Sequence, residues 1–426
     1  MQHAGPTWRG PALALFDAPA RGMGPLDDLR SSGEHRLGAL TGIERIQAAF
    51  GATPMLAAAP AVRAVVAERW PGRSVTGGEV LAINGSCTLA PGLREAIAGL
   101  SSGESITERG TIVAVRCAAA ELEAHVMHGA AIGSRSVELQ QASLASTPWA
   151  TLDLLPRTLA DDLALLIAHG AATVGGRRAD LGDHPVQVAA GATVCPGVII
   201  DASKGAVVVA DGATVRPGAI LIGPSAVLEG AWVAERAVIK ANTVIGPRCK
   251  VGGEVGSVIF HGNGNKVHDG HLGDCLVGEW VNIGAGATGS NLLNTYGEVT
   301  TRLEPSGSVE RTGRIFYGGI VADHAKVGIM AAITTGSSFG TGAMIACDRP
   351  PACVDRFAWL TPERSARFRW DRFEQTMRAV MARRGVEPGP ALLARLRDLH
   401  AAGAADSTAP SRTSRPTWST ASARCC

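Results

Sequence analysis

Aromatic side chains are scarce in this sequence. Trp, Tyr and Phe make up 4% of its 426 residues, so any core must be built from Ala, Val, Ile and Leu. Net charge is equally thin. Forty Lys and Arg face 38 Asp and Glu, a formal +2, and no stripe of basic residues suggests a nucleic-acid partner. No run of 18 apolar residues occurs, so no membrane span is expected. The nine cysteines lack CxxC spacing, which argues against a disulfide framework and for a cytoplasmic setting. Cys195, Cys249 and Cys275 read as small hydrophobes. What abounds is turn-forming residues, 53 Gly and 23 Pro, without the strict Gly-X-Y period of collagen.

The dominant signal is a repeat of six. Val209, Val215, Leu221, Val227, Val233, Ile239, Ile245 and Val251 form one unbroken aliphatic series, and Ile315, Val321, Val327, Ile333, Phe339 and Ile345 resume it. A second series of small residues runs two positions ahead, through Ala213, Ser225, Ala231, Ala237, Thr243 and Cys249, then Gly319, Ala325, Ala331, Ser337 and Ala343. Helices repeat near 3.6 residues and ordinary strands near 2. One large aliphatic and one small residue per six is instead the pattern of a parallel β-helix, with a β-sandwich of fortuitous spacing as the alternative.

The flanks read differently. Residues 1–150 alternate strand-like stretches ("ALALFD", "VLAING", "GTIVAVR") with helix-like ones ("GIERIQAAFG", "PGLREAIAGL"), which predicts an α/β domain. Residues 151–182 read as a helical connector and 183–355 as the β-helix. Residues 356–403 hold two amphipathic basic helices expected to cap the solenoid's open end, and 404–426 a disordered tail. Between the two repeat blocks lies "GNGNKVHDGHLGDCLVGEWVNIGAGATGSNLLNTYG", residues 262–297, a polar stretch that reads as an interruption carrying the active site.

These residues carry a resemblance. "LFDAPARGMGPLDDLRSSGEHRLGAL", "LAING", "LDLLPR", "CKVGGEV" and above all "NKVHDGHLGDCLVGEWVNIGAG" are similar to two-domain sugar nucleotidyltransferases with left-handed β-helix C-termini. The nearest family is similar to the bifunctional N-acetylglucosamine-1-phosphate uridyltransferase/glucosamine-1-phosphate acetyltransferase. The left hand of the solenoid follows from this resemblance alone. So does the role of His268, six residues before the Asp of "LGD", as the general base that deprotonates an acceptor amine or hydroxyl for attack on an acyl-thioester. It also implies substrate contacts at His271, Asn282, Asn291, Asn294 and Tyr296, and contacts with acyl-CoA at Ala285 and Lys326. Ala285 lies in a "GAG" whose N–H groups would face the thioester carbonyl. His324 reads as structural or cofactor-lining.

The N-terminal half lacks the Gly-rich, Lys-containing loop of active nucleotidyltransferases. Gly22, Gly24, Arg30 and Arg36 are what it offers a nucleotide, and Mg²⁺ enters only if this domain is active. A catalytically silent platform is the alternative. His261, His268 and His271 lack a fourth ligand at convincing spacing, so no metal site is expected. The resulting expectation is acyl transfer from acetyl-CoA or a related thioester to an amino sugar phosphate or nucleotide sugar, by a homotrimer. Sugar-1-phosphate nucleotidyl transfer, or a non-catalytic nucleotide-sugar-binding regulatory subunit, are the competing readings.

Overall fold

The computed structural model describes residues 8–20, 22–169 and 180–406, with the side chains of 169 and 403–406 excepted. The N-terminal domain is a six-stranded mixed sheet in the order Met55–Ala57, Ala12–Phe16, Glu79–Asn84, Thr111–Ala118, Glu104–Glu108, Arg135–Glu138. The first three strands are parallel, and Thr111–Ala118 turns antiparallel to Glu79–Asn84. Helices Gly42–Phe50, Arg63–Arg69, Leu93–Ala98 and Ala119–His128 accompany the strands. Local chemistry sets their ends. At Gly42–Phe50, Thr41 Oγ1 accepts from Glu44 N at 3.2 Å while Glu44 accepts from Thr41 N at 2.7 Å, and Gly51 stops the helix at φ 66°.

From Val186 the chain winds into a parallel β-helix with three faces. On the first face Val207–Val209 pairs with Ser225–Val227 and that with Thr243–Ile245, an advance of 18 residues per coil. The second face carries two-residue strands, among them Lys250–Val251, Asn265–Lys266, Asn282–Ile283 and Lys326–Val327. Both residue series counted in the sequence point inward. Val209, Val215, Leu221, Val233, Val251 and Val327 pack with Ala213, Ala231, Ala237 and Ala325 in one aliphatic core. Small residues fill the inward places where the three faces leave no room for a second large side chain.

Ile315 does not belong to that series. It is 50% exposed, because residues 290–318 leave the solenoid as an excursion with its own hairpin, Thr300–Thr301 against Glu310–Arg311. The true interruption is therefore this excursion. Much of the polar stretch 262–297 lies on regular coils, in strands Asn265–Lys266, His271–Val277, Asn282–Ile283 and Thr288–Gly289.

The two halves are packed together. On the first face the middle residue of each strand points outward, and from Val207–Val209 to Gly319–Val321 these residues, Val208, Ala226, Val244, Ile259, Leu276 and Ile320, are apolar, whereas the strands beyond carry Gln187 and Ser338 there. Helix Pro148–His169 lays Leu152, Leu155, Leu159 and Leu163 on them. Buried ion pairs reinforce the contact: Arg30 reaches Asp323 of the β-helix at 2.5 Å, and Arg45 makes a two-pronged pair with Asp162 of the helix at 3.0 and 2.7 Å.

The C-terminal helices pack along the solenoid as well as against its last coil. Its last strand, Ala358–Leu360, is covered by the antiparallel strand Ser365–Arg367, inside the segment read as helical. Helix Trp370–Ala382 then lies beside the second face, sharing a cluster with Trp280, Met344 and Phe357, and Pro390–Asp406 reaches Val65 of the N-terminal domain through Leu392 and Leu396. That last helix runs past position 404. The rest of the expected tail, with Cys425 and Cys426, lies outside the described residues. Among the described residues no helix is long and apolar enough to cross a membrane.

Candidate functional site

Stacked coils turn sequence spacing into columns. Asn265 pairs with Asn282, and Gly286 N–H donates to Asp269 O at 3.0 Å, so adjacent coils here are offset by 17 residues. Position 268 therefore stacks beneath position 285, at the corner that follows the second face. Coils stand about 4.8 Å apart, so His268 and Ala285 are neighbours.

His268 is exposed, and among the described residues its imidazole makes no hydrogen bond or ion pair. The corner above it is only partly available as a donor. Gly284 N–H is used by Val327 O at 2.9 Å and Gly286 N–H by Asp269 O, so two of the three "GAG" amides are not free for a thioester carbonyl. Ala285 N–H donates to no acceptor among the described residues. Next in the column come Ile329 and Met330, 70% and 68% exposed, with Met330 N–H bound to Ala285 O at 2.8 Å. The corner thus offers an imidazole, one free amide and an apolar rim.

What holds this corner is a residue sequence reasoning passed over. Lys266 occupies an inward position, paired with Val251, where neighbouring coils place an aliphatic. Its ammonium donates to Gly252 O at 3.1 Å, His268 O at 3.2 Å and Gly270 O at 2.7 Å. Burial pushes its pKa down to about 8. A lysine breaking an aliphatic series is the signal that could have found it.

The second-face column, one strand before the His268 corner, runs Lys250, Asn265, Asn282, Lys326. Asn265 Nδ2 donates to Asn282 Oδ1 at 2.8 Å. Lys326 Nζ donates to Trp280 O at 2.6 Å and His324 O at 3.0 Å, and burial pushes its pKa down to about 7. Helix Trp370–Ala382 and the residues just after it cover the column, leaving a cavity of 450 Å³ to which Arg383 and Arg384 also contribute. His324 is buried, its imidazole stacked 6.3 Å from Trp280, which makes it part of the packing under this cavity.

The remaining candidates are dispersed. His271 Nδ1 lies 3.3 Å from Glu254, which also holds Lys240. Asn291 donates to Asp274 at 2.7 Å, and Arg314 ties Asp274 to Asp153 of helix Pro148–His169, so Asn291 anchors the excursion to the coil. Asn294 and Tyr296 are exposed on that excursion, Tyr296 by 74%. Arg30 and Arg36 are both buried. The first is held by Asp323, and the second by Ala39 O and Glu44. Gly22 and Gly24 serve packing: a Cβ at Gly22 would meet Ser146 O at 2.5 Å, and one at Gly24 would meet Leu303 at 3.0 Å.

The cleft at the carboxyl ends of Ala12–Phe16 and Glu79–Asn84 holds 260 Å³, and its described lining includes Asp27 but no Lys or Arg. Asp17 is consumed by Ser32 and the Ala59 amide, and Asp27 by His35 and the Met23 amide. Among the described residues no three His, Cys, Asp or Glu side chains are grouped to hold a metal ion, and these carboxylates do not fit a Mg²⁺ site. The three histidines of the "FHGNGNKVHDGH" segment likewise do not converge. His261 is buried against His35 of the N-terminal domain, their rings 5.6 Å apart.

Comparison with known proteins bears mainly on the N-terminal half. Residues 13–170 match the sugar nucleotidyl transferase family, so this domain is similar to such enzymes over less than half the chain. No curated protein matches the chain. Among solved structures, the acetyltransferase domain of PglB from Neisseria gonorrhoeae in complex with acetyl coenzyme A is 16% identical, covering 55% of this chain and 87% of its own, with a TM-score of 0.16. A hexapeptide transferase family protein from Anaplasma phagocytophilum is 12% identical, covering 52% and 93%, with a TM-score of 0.15.

Proposed function

We propose that the protein is an acyltransferase of sugar metabolism, moving an acetyl or related group from acyl-CoA to an amino sugar phosphate or nucleotide sugar. The observation that carries this reading is the stacking of His268 directly below the free amide of Ala285. Acyl transfer needs a base on the attacking amine and a donor to the oxyanion that forms from the thioester carbonyl. His268 supplies the first, taking the proton as nitrogen attacks. Ala285 N–H supplies the second as negative charge gathers on oxygen, and collapse expels the CoA thiolate. Ile329 and Met330 give the donor an apolar surface beside that amide. The motif around His268, similar to the acetyltransferase half of the bifunctional enzyme, supports the same assignment, with the homotrimer and left-handed coil as its corollaries.

The test is CoA release from acetyl-CoA with a panel of amino sugar phosphates and nucleotide sugars, for wild type and His268→Ala. Loss of about 10²-fold or more in kcat/KM in the variant, at unchanged fold, is expected. Equal rates in the two proteins would overturn the role of His268.

The family match at residues 13–170 favours a second reading, nucleotidyl transfer to a sugar 1-phosphate. Pyrophosphate release from a nucleoside triphosphate, without CoA release from any acceptor, would replace the first reading by this one. The burial of Arg30 and Arg36 in internal pairs weighs against it.

A further inference from the structure

The cavity under helix Trp370–Ala382 is built unlike the rest of the surface. Four Lys and Arg side chains line it, Lys250 and Lys326 from the solenoid and Arg383 and Arg384 from the C-terminal segment, and among the described residues no Asp or Glu does. Elsewhere many of the described arginines meet carboxylates, including Arg30, Arg45, Arg63, Arg116, Arg314 and Arg356. None of these four forms an ion pair among the described residues. The charges of Lys250, Arg383 and Arg384, gathered without a counter-ion, repel one another, a cost a compact structure avoids unless an anion is to be received. A second observation points the same way. Asn263 Oδ1 is buried in the same lining with no hydrogen-bond partner among the described residues, an acceptor waiting for a hydroxyl or N–H donor. At 450 Å³ the space is also within the range of small-molecule sites, about 300–1,000 Å³.

We infer that this cavity is a binding site for a phosphate or diphosphate ester of a hydroxyl-bearing small molecule, its anion held by Lys250, Arg383 and Arg384 and its hydroxyl group by Asn263. The guanidinium fork of each arginine suits phosphate oxygens, and the C-terminal segment thereby becomes part of the ligand site. The site does not require that His268 be a base, since His268 stands at the other end of the second-face strand.

Titration calorimetry on the full chain tests it, with inorganic pyrophosphate, UDP-N-acetylglucosamine and CoA as probes. Binding is expected, tighter for an ester than for bare pyrophosphate, weakening as salt rises, and undiminished in His268→Ala. Arg383→Ala/Arg384→Ala should weaken it at least about tenfold while leaving the thermal midpoint near wild type, and Lys250→Ala, at an exposed position, should weaken it as well. A preference for UDP-N-acetylglucosamine identifies a nucleotide-sugar site and a preference for CoA a donor site. No heat with any probe, or equal affinity in the double arginine variant, would overturn the inference. Loss of binding in His268→Ala alone would move the site to the catalytic corner and overturn it too.

Discussion

The ammonium of Lys266 donates to the main-chain oxygen of His268 at 3.2 Å from inside the solenoid, while the His268 side chain stands outside it. One buried charge, satisfied by three corner carbonyls, thus fixes the backbone that presents the candidate base. Desolvation opposes the charged form, which is why the Lys266 pKa falls to about 8 from an ordinary 10.5. The unfolded chain therefore holds more protons than the native one between those values, and stability contributed through this group rises with pH from about 7 onward and levels off past 10.5. Lys266→Met removes the titration. The stability difference between wild type and Lys266→Met should shift in favour of wild type by about 1.4 kcal/mol between pH 7 and pH 9, read by urea unfolding at each pH. A difference independent of pH would mean that the lysine is not desolvated as described.

The repeat was legible because a β-helix uses its period everywhere: every inward aliphatic from Val209 to Val251 follows from one count of six. The same count misplaced Ile315, since an inserted excursion can restore the spacing by chance without restoring the geometry. The motif singled out His268 as a candidate, but its place under Ala285 was not legible, because the coil there advances by 17 residues and not 18. The docking of helix Pro148–His169 had a signal that went unused. First-face triplets such as Val207–Val209 and Cys275–Val277 are apolar at the outward position as well, which a solvated face would not tolerate. The cationic cavity could not be read at all, because Lys250 and Arg384 meet only through tertiary packing.

That docking face makes a paired prediction. Leu159 is fully buried between the N-terminal domain and the solenoid, whereas Ile315 is half exposed despite sitting in the six-residue count. Leu159→Ala should cost about 2–5 kcal/mol, a transfer loss plus a cavity, and Ile315→Ala should stay within about 0.5 kcal/mol. Chemical denaturation of the two variants checks both. A large loss at Ile315 would restore it to the core.

Arg30 and Asp323 join residues far apart in sequence, 2.5 Å from one another and almost inaccessible. Asp323 also accepts the Glu279 amide at 2.6 Å, so it serves the coil as well as the domain contact. Its carboxyl nonetheless sits above the ordinary range, because burial outweighs the attraction of Arg30. A pair of this kind adds little over an apolar substitute, but breaking it strands a charge. Asp323→Ala should therefore lower stability by about 3–5 kcal/mol, and Arg30→Met/Asp323→Leu should recover much of that loss. Thermal and urea unfolding of the single and double variants distinguish the two outcomes. An equal loss in both would mark the carboxylate's bond to the Glu279 amide as its main role.

Lys326 extends the argument to the cationic cavity. Its Nζ spends two donors on Trp280 O and His324 O, and burial holds its pKa down to about 7, so at pH 8 it is largely neutral. Lys250, Arg383 and Arg384 face the same space, while His324 behind it is kept neutral by burial, its pKa well below the usual value. A bound anion favours the charged form of Lys326 and draws its pKa back up. Binding of UDP-N-acetylglucosamine, whose diphosphate does not titrate in this range, should then take up close to one proton at pH 8 and much less at pH 6. Calorimetry in two buffers of different ionisation heat measures the count at each pH. Lys326→Met should bind without proton uptake, and Lys250→Met should retain it. Uptake that persists in Lys326→Met would place the responsible group elsewhere in the chain.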